Sequence, residues 1–143
     1  MAKRIQVLIV VDAAAALASG DLQNNVYLVD TNKYHGSTDE GKAELITACQ
    51  DRQVIGWRVE SISPDNEVSI KGFIGKMIDE KICIPEQNGL RDGYWEGEIE
   101  ARMQHGDAMI NTQYSTILVI DGKSMNFDPF LHIYYQLVVG QKV

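Results

Sequence analysis

Apolar side chains recur at every second residue through segment after segment of this chain, and that period belongs to half-buried strands, whose side chains alternate between two faces. Residues 95–103 show it most cleanly. Trp95, Ile99, Ala101 and Met103 point one way and Glu96, Glu98, Glu100 and Arg102 the other, so one face of this strand is expected in water. Residues 67–74 sort Val68, Ile70 and Ile74 from Glu67, Ser69 and Lys71. Residues 5–11, 114–120 and 130–139 are apolar on both faces for much of their length, as expected of strands in the middle of a two-layer stack. Strands are therefore expected at residues 5–11, 26–30, 44–49, 54–60, 67–74, 95–103, 114–120 and 130–139. The turn signals between them are Pro64-Asp65-Asn66, Asn88-Gly89, Asp92-Gly93, His105-Gly106-Asp107 and Asp121-Gly122, where Gly and Asn accept the positive φ of tight hairpins.

One segment reads as helical: Asp12 as N-cap, the helix formers Ala13 to Ala18, and Gly20 as the stop. A shorter helical signal covers residues 79–82, and residues 31–42 and 84–94 read as long loops. The crossovers that parallel strands require have no room among such connections. The expected fold is all-β: an antiparallel β-sandwich, jelly-roll-like or immunoglobulin-like, of about eight strands with one short helix near the N-terminus, forming a single domain over residues 1–143.

At 143 residues a folded chain hides roughly 68% of the surface its unfolded form exposes, enough for a core without staples. Two cysteines are too few for a disulfide framework. Against 20 Asp and Glu stand only 13 Lys and Arg, a net charge of −7, which argues against a nucleic-acid partner. Residues 1–20 have the basic start, apolar stretch and Ala-Leu-Ala of a secretory signal, but the stretch is broken by Gln6 and closed by Asp12, so it reads as a core strand. No run approaches the ~20 apolar residues of a membrane span, and no membrane partner is expected.

Few constellations point to chemistry. His35, His105 and His132 stand singly, without the spacings that put two ligands on one metal, and no metal or cofactor is expected. His132 alternates with aromatics and reads as a satisfied histidine on a sheet face. Cys49 and Cys83 sit among apolar neighbours and read as core residues with unactivated sulfur. There is no Gly-x-Ser-x-Gly elbow, and Lys71-Gly72-Phe73-Ile74-Gly75-Lys76 lacks the spacing of a P-loop, so no catalytic residue is assigned. Glu96, Glu98 and Glu100 read as a solvated face that discourages aggregation. Trp57, Tyr94, Trp95, Tyr134 and Tyr135 offer a stacking platform for a flat ligand, but the two tryptophans read first as core.

Five fragments, in this order, resemble the AidA/PixA inclusion-body protein family of bacteria: residues 5–13 (IQVLIVVDA), Gly56-Trp57-Arg58 leading into Ser61, Gly93-Tyr94-Trp95-Glu96, residues 114–121 (YSTILVID), and residues 127–133 (FDPFLHI). The resemblance runs from about residue 4 to residue 135, with the region between the Trp-Arg and Tyr-Trp fragments shorter than in typical members. It implies a β-sandwich in the cytoplasm, in a family with no established enzymatic activity, and the first reading drawn from it is a non-enzymatic, self-associating protein. Residues 130–139 are the expected contact in such a homo-oligomer. The alternative reading is a small-ligand or carbohydrate-binding module, and a third is an enzyme with a dispersed site. The candidate ligand-facing residues are Arg58, Glu96, Asp128, Trp57 and Trp95, with Arg58 expected to pair with Glu96 or Asp128.

Overall fold

Ile5, Val7, Ile9 and Val11 are all fully buried while Gln6, Leu8 and Val10 between them are half-buried, so the first strand, apolar on both faces, turns one whole face inward and leaves the other partly covered. The computed structural model describes residues 4–91 and 93–137. Along them run β1 (Ile5–Val11), α1 (Ala13–Ser19), β2 (Val26–Asp30), a single 3-10 turn (Lys33–His35), β3 (Ile46–Gln50) and β4 (Val54–Ser61). Then follow β5 (Val68–Ile74), α2 (Lys76–Asp79), β6 (Glu86–Gln87), β7 (Trp95–Glu98), β8 (Ile110–Gln113), β9 (Ser115–Ile120), β10 (Lys123–Phe127) and β11 (Phe130–Tyr134). The class is all-β with sandwich-like sheets, as alternation predicts. The strands form three sheets, ordered β2-β1-β4-β7-β6, β10-β9-β5 and β3-β11-β8.

Two pairings depart from the antiparallel expectation: β1 with β4 and β3 with β11 run parallel. Each links strands far apart in sequence, so the connecting chain is the rest of the fold, and no dedicated crossover is needed. The helix α1 forms as expected: Asp12 accepts from the Ala15 amide (3.2 Å), and Gly20, left-handed at φ 74°, donates to the Ala16 carbonyl (2.8 Å). The second helix lies at Lys76–Asp79 instead of 79–82. In β5 the register shifts between Ile70 and Gly72, so Lys71 is an extra residue and the face parity flips behind it. Phe73 is therefore buried and Ile74, expected inside, is 49% exposed.

The long alternating segment of residues 95–103 is paired as a strand only through Glu98. Beyond it the burial alternation continues, with Ile99 and Met103 inside and Glu98, Glu100 and Arg102 outside, but a side chain replaces the ladder. The buried Asp51 carboxylate accepts from the amides of Ala101 and Met103, both at 2.8 Å, while Arg52 N–H donates to the Ile99 carbonyl and Ile99 N–H to that of Gln53.

Two corners carry the chain between sheets. At Tyr114 it passes from β8 to β9, and at Asp128-Pro129 from β10 back to β11. The corners are tied together: Tyr114 N–H donates to the Pro129 carbonyl (3.1 Å) and the Ser115 hydroxyl to Asp128 (2.6 Å). Pro129 thus stands where no ladder donor is required. Trp57, on β4 and 0% exposed, meets Phe73 of β5 (ring centroids 4.9 Å apart) and Tyr114 (6.0 Å), and its indole N–H donates to the Tyr114 hydroxyl at 3.2 Å.

Residues 31–42 cover two sheet edges. On β2, the Leu28 carbonyl accepts from Gly41 N–H (2.5 Å) and Asp30 N–H donates to Glu40 (2.9 Å). On β3, Thr38 bridges Ile46, Ser37 accepts from Ala48 N–H (2.9 Å), and the Asn32 amide donates to the Ala48 carbonyl (2.5 Å). Burial, with the Asp30 carboxylate beside it, pushes the Glu40 carboxyl from its usual 4.5 up to about 7.

Two outcomes follow. Tyr114→Phe leaves the buried Trp57 N–H without an acceptor and should lower the unfolding free energy by about 1–3 kcal/mol in urea denaturation. Glu40 holds its proton more tightly folded than unfolded, so its contribution is present below about pH 4.5 and lost as pH rises through about 7. The melting temperature should fall over that window, and Glu40→Gln should flatten the fall.

Candidate functional site

Alternation along β4 puts Trp57 and Arg58 on opposite faces, and this one step sorts the expected site residues. Trp57 stands directly across from Trp95 in the β4–β7 register, on the inner face. Trp95 is half-buried, edge-on to Phe73 at 5.7 Å, with its indole nitrogen buried and unpartnered. Both indoles therefore pack in the core. Asp128 takes the Ser115 hydroxyl at the corner. Glu96 pairs with Arg4 and accepts from the Asn88 amide (3.1 Å). Arg58 is exposed and reaches Glu60 at 3.4 Å, so the expected pairing with Glu96 or Asp128 is not made.

What surrounds Arg58 is a cleft of ≈ 450 Å³ between β4 and β5, lined also by Gln6, Glu60, Gln87, Arg91 and Tyr94. Its wall is fixed by a close approach. The Tyr94 ring lies across Gly56, where a Cβ would stand 1.8 Å from the phenol oxygen, so only glycine fits. The Tyr94 hydroxyl donates to the Gln6 side chain (3.0 Å) and the Arg91 guanidinium sits over the ring at 5.4 Å. The Gly-Trp-Arg and Tyr-Trp-Glu fragments are thus paired strands whose inner residues build the core and whose outer residues build this wall. Two guanidinium groups, a phenol, two amides and a carboxylate converge here, a set suited to hydrogen-bonding a hydroxylated or acidic small molecule.

Alternation locates Arg58 from sequence, whereas Tyr94 is marked there only as one aromatic of a stacking platform, within a stretch read as loop. Gln6, Gln87 and Arg91 are missed because they come from distant segments and carry no pattern. Burial pushes both thiols up, Cys83 to about 12 and Cys49 well above its usual range, so neither is an activated nucleophile. His132 is half-buried on β11, and His105 is exposed, edge-on to Tyr135 at 5.7 Å. Among the described residues no group of three or more His, Cys, Asp or Glu is gathered as metal ligands would be, and no helix is long and apolar enough to cross a membrane.

With this geometry in hand, residues 3–126 match the family described as domain of unknown function DUF8788. The chain belongs to the DUF8788 family. No curated protein matches this DUF8788 chain. Among solved structures it is similar to the inclusion body protein PixA from Burkholderia cenocepacia J2315, with 10% identity and a TM-score of 0.63, over 94% of this chain and 96% of that one. At that identity the likeness shows the fold, and at the level of the fold the AidA/PixA resemblance holds.

The Tyr94–Gly56 contact sets a test. Gly56→Ala should displace the ring and cost about 1–3 kcal/mol in denaturation. The same substitution in a Tyr94→Ala background should cost much less, because the two positions share one contact.

Proposed function

We propose that this DUF8788 chain is a non-enzymatic, self-associating cytoplasmic protein, a distant relative of the AidA/PixA type, in which copies meet through the outer face of β1 and β2. One observation carries the reading. The register places Leu8 opposite Val29 and Val10 opposite Tyr27, all on the side away from the core, and Tyr27 and Val29 are 44% and 42% exposed although apolar. Arg58 and Glu60 flank the patch on β4 and supply a polar rim. Strand addition at β2 is blocked by the loop of residues 31–42, which favours contact by faces over contact by edges. Residues 130–134 do not offer an edge either. β11 is the central strand of its sheet, and residues 138–139 of the expected contact lie outside the described residues. The fold likeness to a protein titled an inclusion body protein supports the same reading.

The second reading, a small-molecule or glycan-binding module, draws on the convergence of Arg58, Arg91, Tyr94 and Gln6 in one cleft.

Size-exclusion chromatography with light scattering at high micromolar concentration tests the first reading. A homo-oligomer is expected, with Tyr27→Lys/Val29→Lys shifting it to monomer at unchanged melting temperature. A native protein that stays monomeric overturns it. A fluorescence screen with glycans and metabolites, repeated on Arg58→Ala, tests the second.

A further inference from the structure

The arginines of this acidic chain are not spread over its surface. Arg58 and Arg91 line the cleft beside Tyr94, and the remaining three, Arg4, Arg52 and Arg102, line a second and larger one of ≈ 930 Å³. No lysine among the described residues lines either. The second cleft opens where β3 and β7 end and β1 and β4 begin, with Tyr135 on its wall. Arg4 is held by Glu96, but Arg52 and Arg102 are exposed and pair with no described carboxylate.

Both of these arginines have left-handed backbones, with φ 77° at Arg52 and 54° at Arg102, a conformation that suits glycine or asparagine and costs an arginine. Surrounding hydrogen bonds enforce it. Arg52 N–H is fixed to the Ile99 carbonyl (2.8 Å), and the amides on either side of Arg102, those of Ala101 and Met103, both donate to the buried Asp51. This bonding holds the two stretches of backbone from which the arginine side chains project. It also leaves the Asp51 charge satisfied by two amides, so the guanidinium groups remain available.

We propose that this cleft binds an oxyanion: a small organic molecule whose phosphate or carboxylate is gripped by Arg52 and Arg102, with Arg4 at the rim and Tyr135 flanking the ligand's body. Arginine at all three positions fits this role, because its planar fork matches either group in a bidentate way that lysine cannot. The volume lies within the usual range for small-molecule sites. Glu98 on the same wall, and the net charge of −7, oppose a long polyanion and limit the ligand to a small one.

A nitrogen-15 NMR titration with inorganic phosphate, pyrophosphate and citrate tests the proposal, with sodium chloride at matched ionic strength as control. Saturable shifts centred on Arg52, Arg102 and Tyr135 are expected, with affinity at least about tenfold weaker, or ~1.4 kcal/mol, in Arg52→Gln/Arg102→Gln. Arg102→Lys should also lose affinity although its charge is kept. Arg52→Gly and Arg102→Gly relax the backbone, so they should bind poorly while melting no lower than the native protein. Tighter binding of pyrophosphate assigns a phosphorylated ligand, and tighter binding of citrate a carboxylated one. Shifts that grow linearly and spread over surface lysines, or affinity that survives both glycine variants, overturn the proposal. The cleft uses no residue of the β1–β2 face, so the light-scattering result stands or falls separately.

Discussion

The indole N–H of Trp57 is satisfied by one group, the hydroxyl of Tyr114, and that bond sits where three sheets meet. In surroundings this apolar an unmatched donor is costly, so the pair fixes two things together: where the chain turns between β8 and β9, and which face of β4 looks inward. Burial holds the Tyr114 phenol well above its ordinary range, which keeps it a neutral partner. Once Trp57 is inside, Arg58 must be outside, Gly56 must lie beneath Tyr94, and Trp95 must face Trp57 across the ladder. The aromatic centre and the polar wall are therefore two faces of one decision.

Much of this is legible in the residue pattern. That pattern finds β1, β2, β4 and β9, the first and last as runs apolar on both faces, although only one face of each of those two is fully buried. It misses β8 and β10, whose segments Ile110-Asn111-Thr112-Gln113 and Lys123-Ser124-Met125-Asn126-Phe127 are mostly polar and are strands because β11 and β9 offer them partners. It misplaces Ile74 because a bulge is a backbone event, with little side-chain signature ahead of Gly72. The parallel pairs are invisible because nothing local in β1 or β3 encodes a partner tens of residues away. The site follows the same division. The outward position of Arg58 can be read from its neighbour, whereas the groups it meets belong to other strands.

The acidic segment around residue 100 shows how a single side chain can stand in for a strand partner. Asp51 accepts two amides that a ladder would otherwise take, letting residues 99–103 stay extended and alternating after pairing has stopped. The periodicity is real there even though the strand is not. Hydrophobic pattern reports which side is wet, and hydrogen bonding alone reports whether a neighbour is present.

The loop that caps β2 and β3 carries a consequence for synthesis. Its bonds to those two strands are all made within residues 28–48, whereas β3 gains its ladder partner only from β11, at residues 130–134. A nascent polypeptide leaving the ribosome thus carries β3 with one side unpaired until β11 emerges. During that interval, folding races against cross-chain stacking, and the winner is decided by crowding and translation speed as much as by the finished structure.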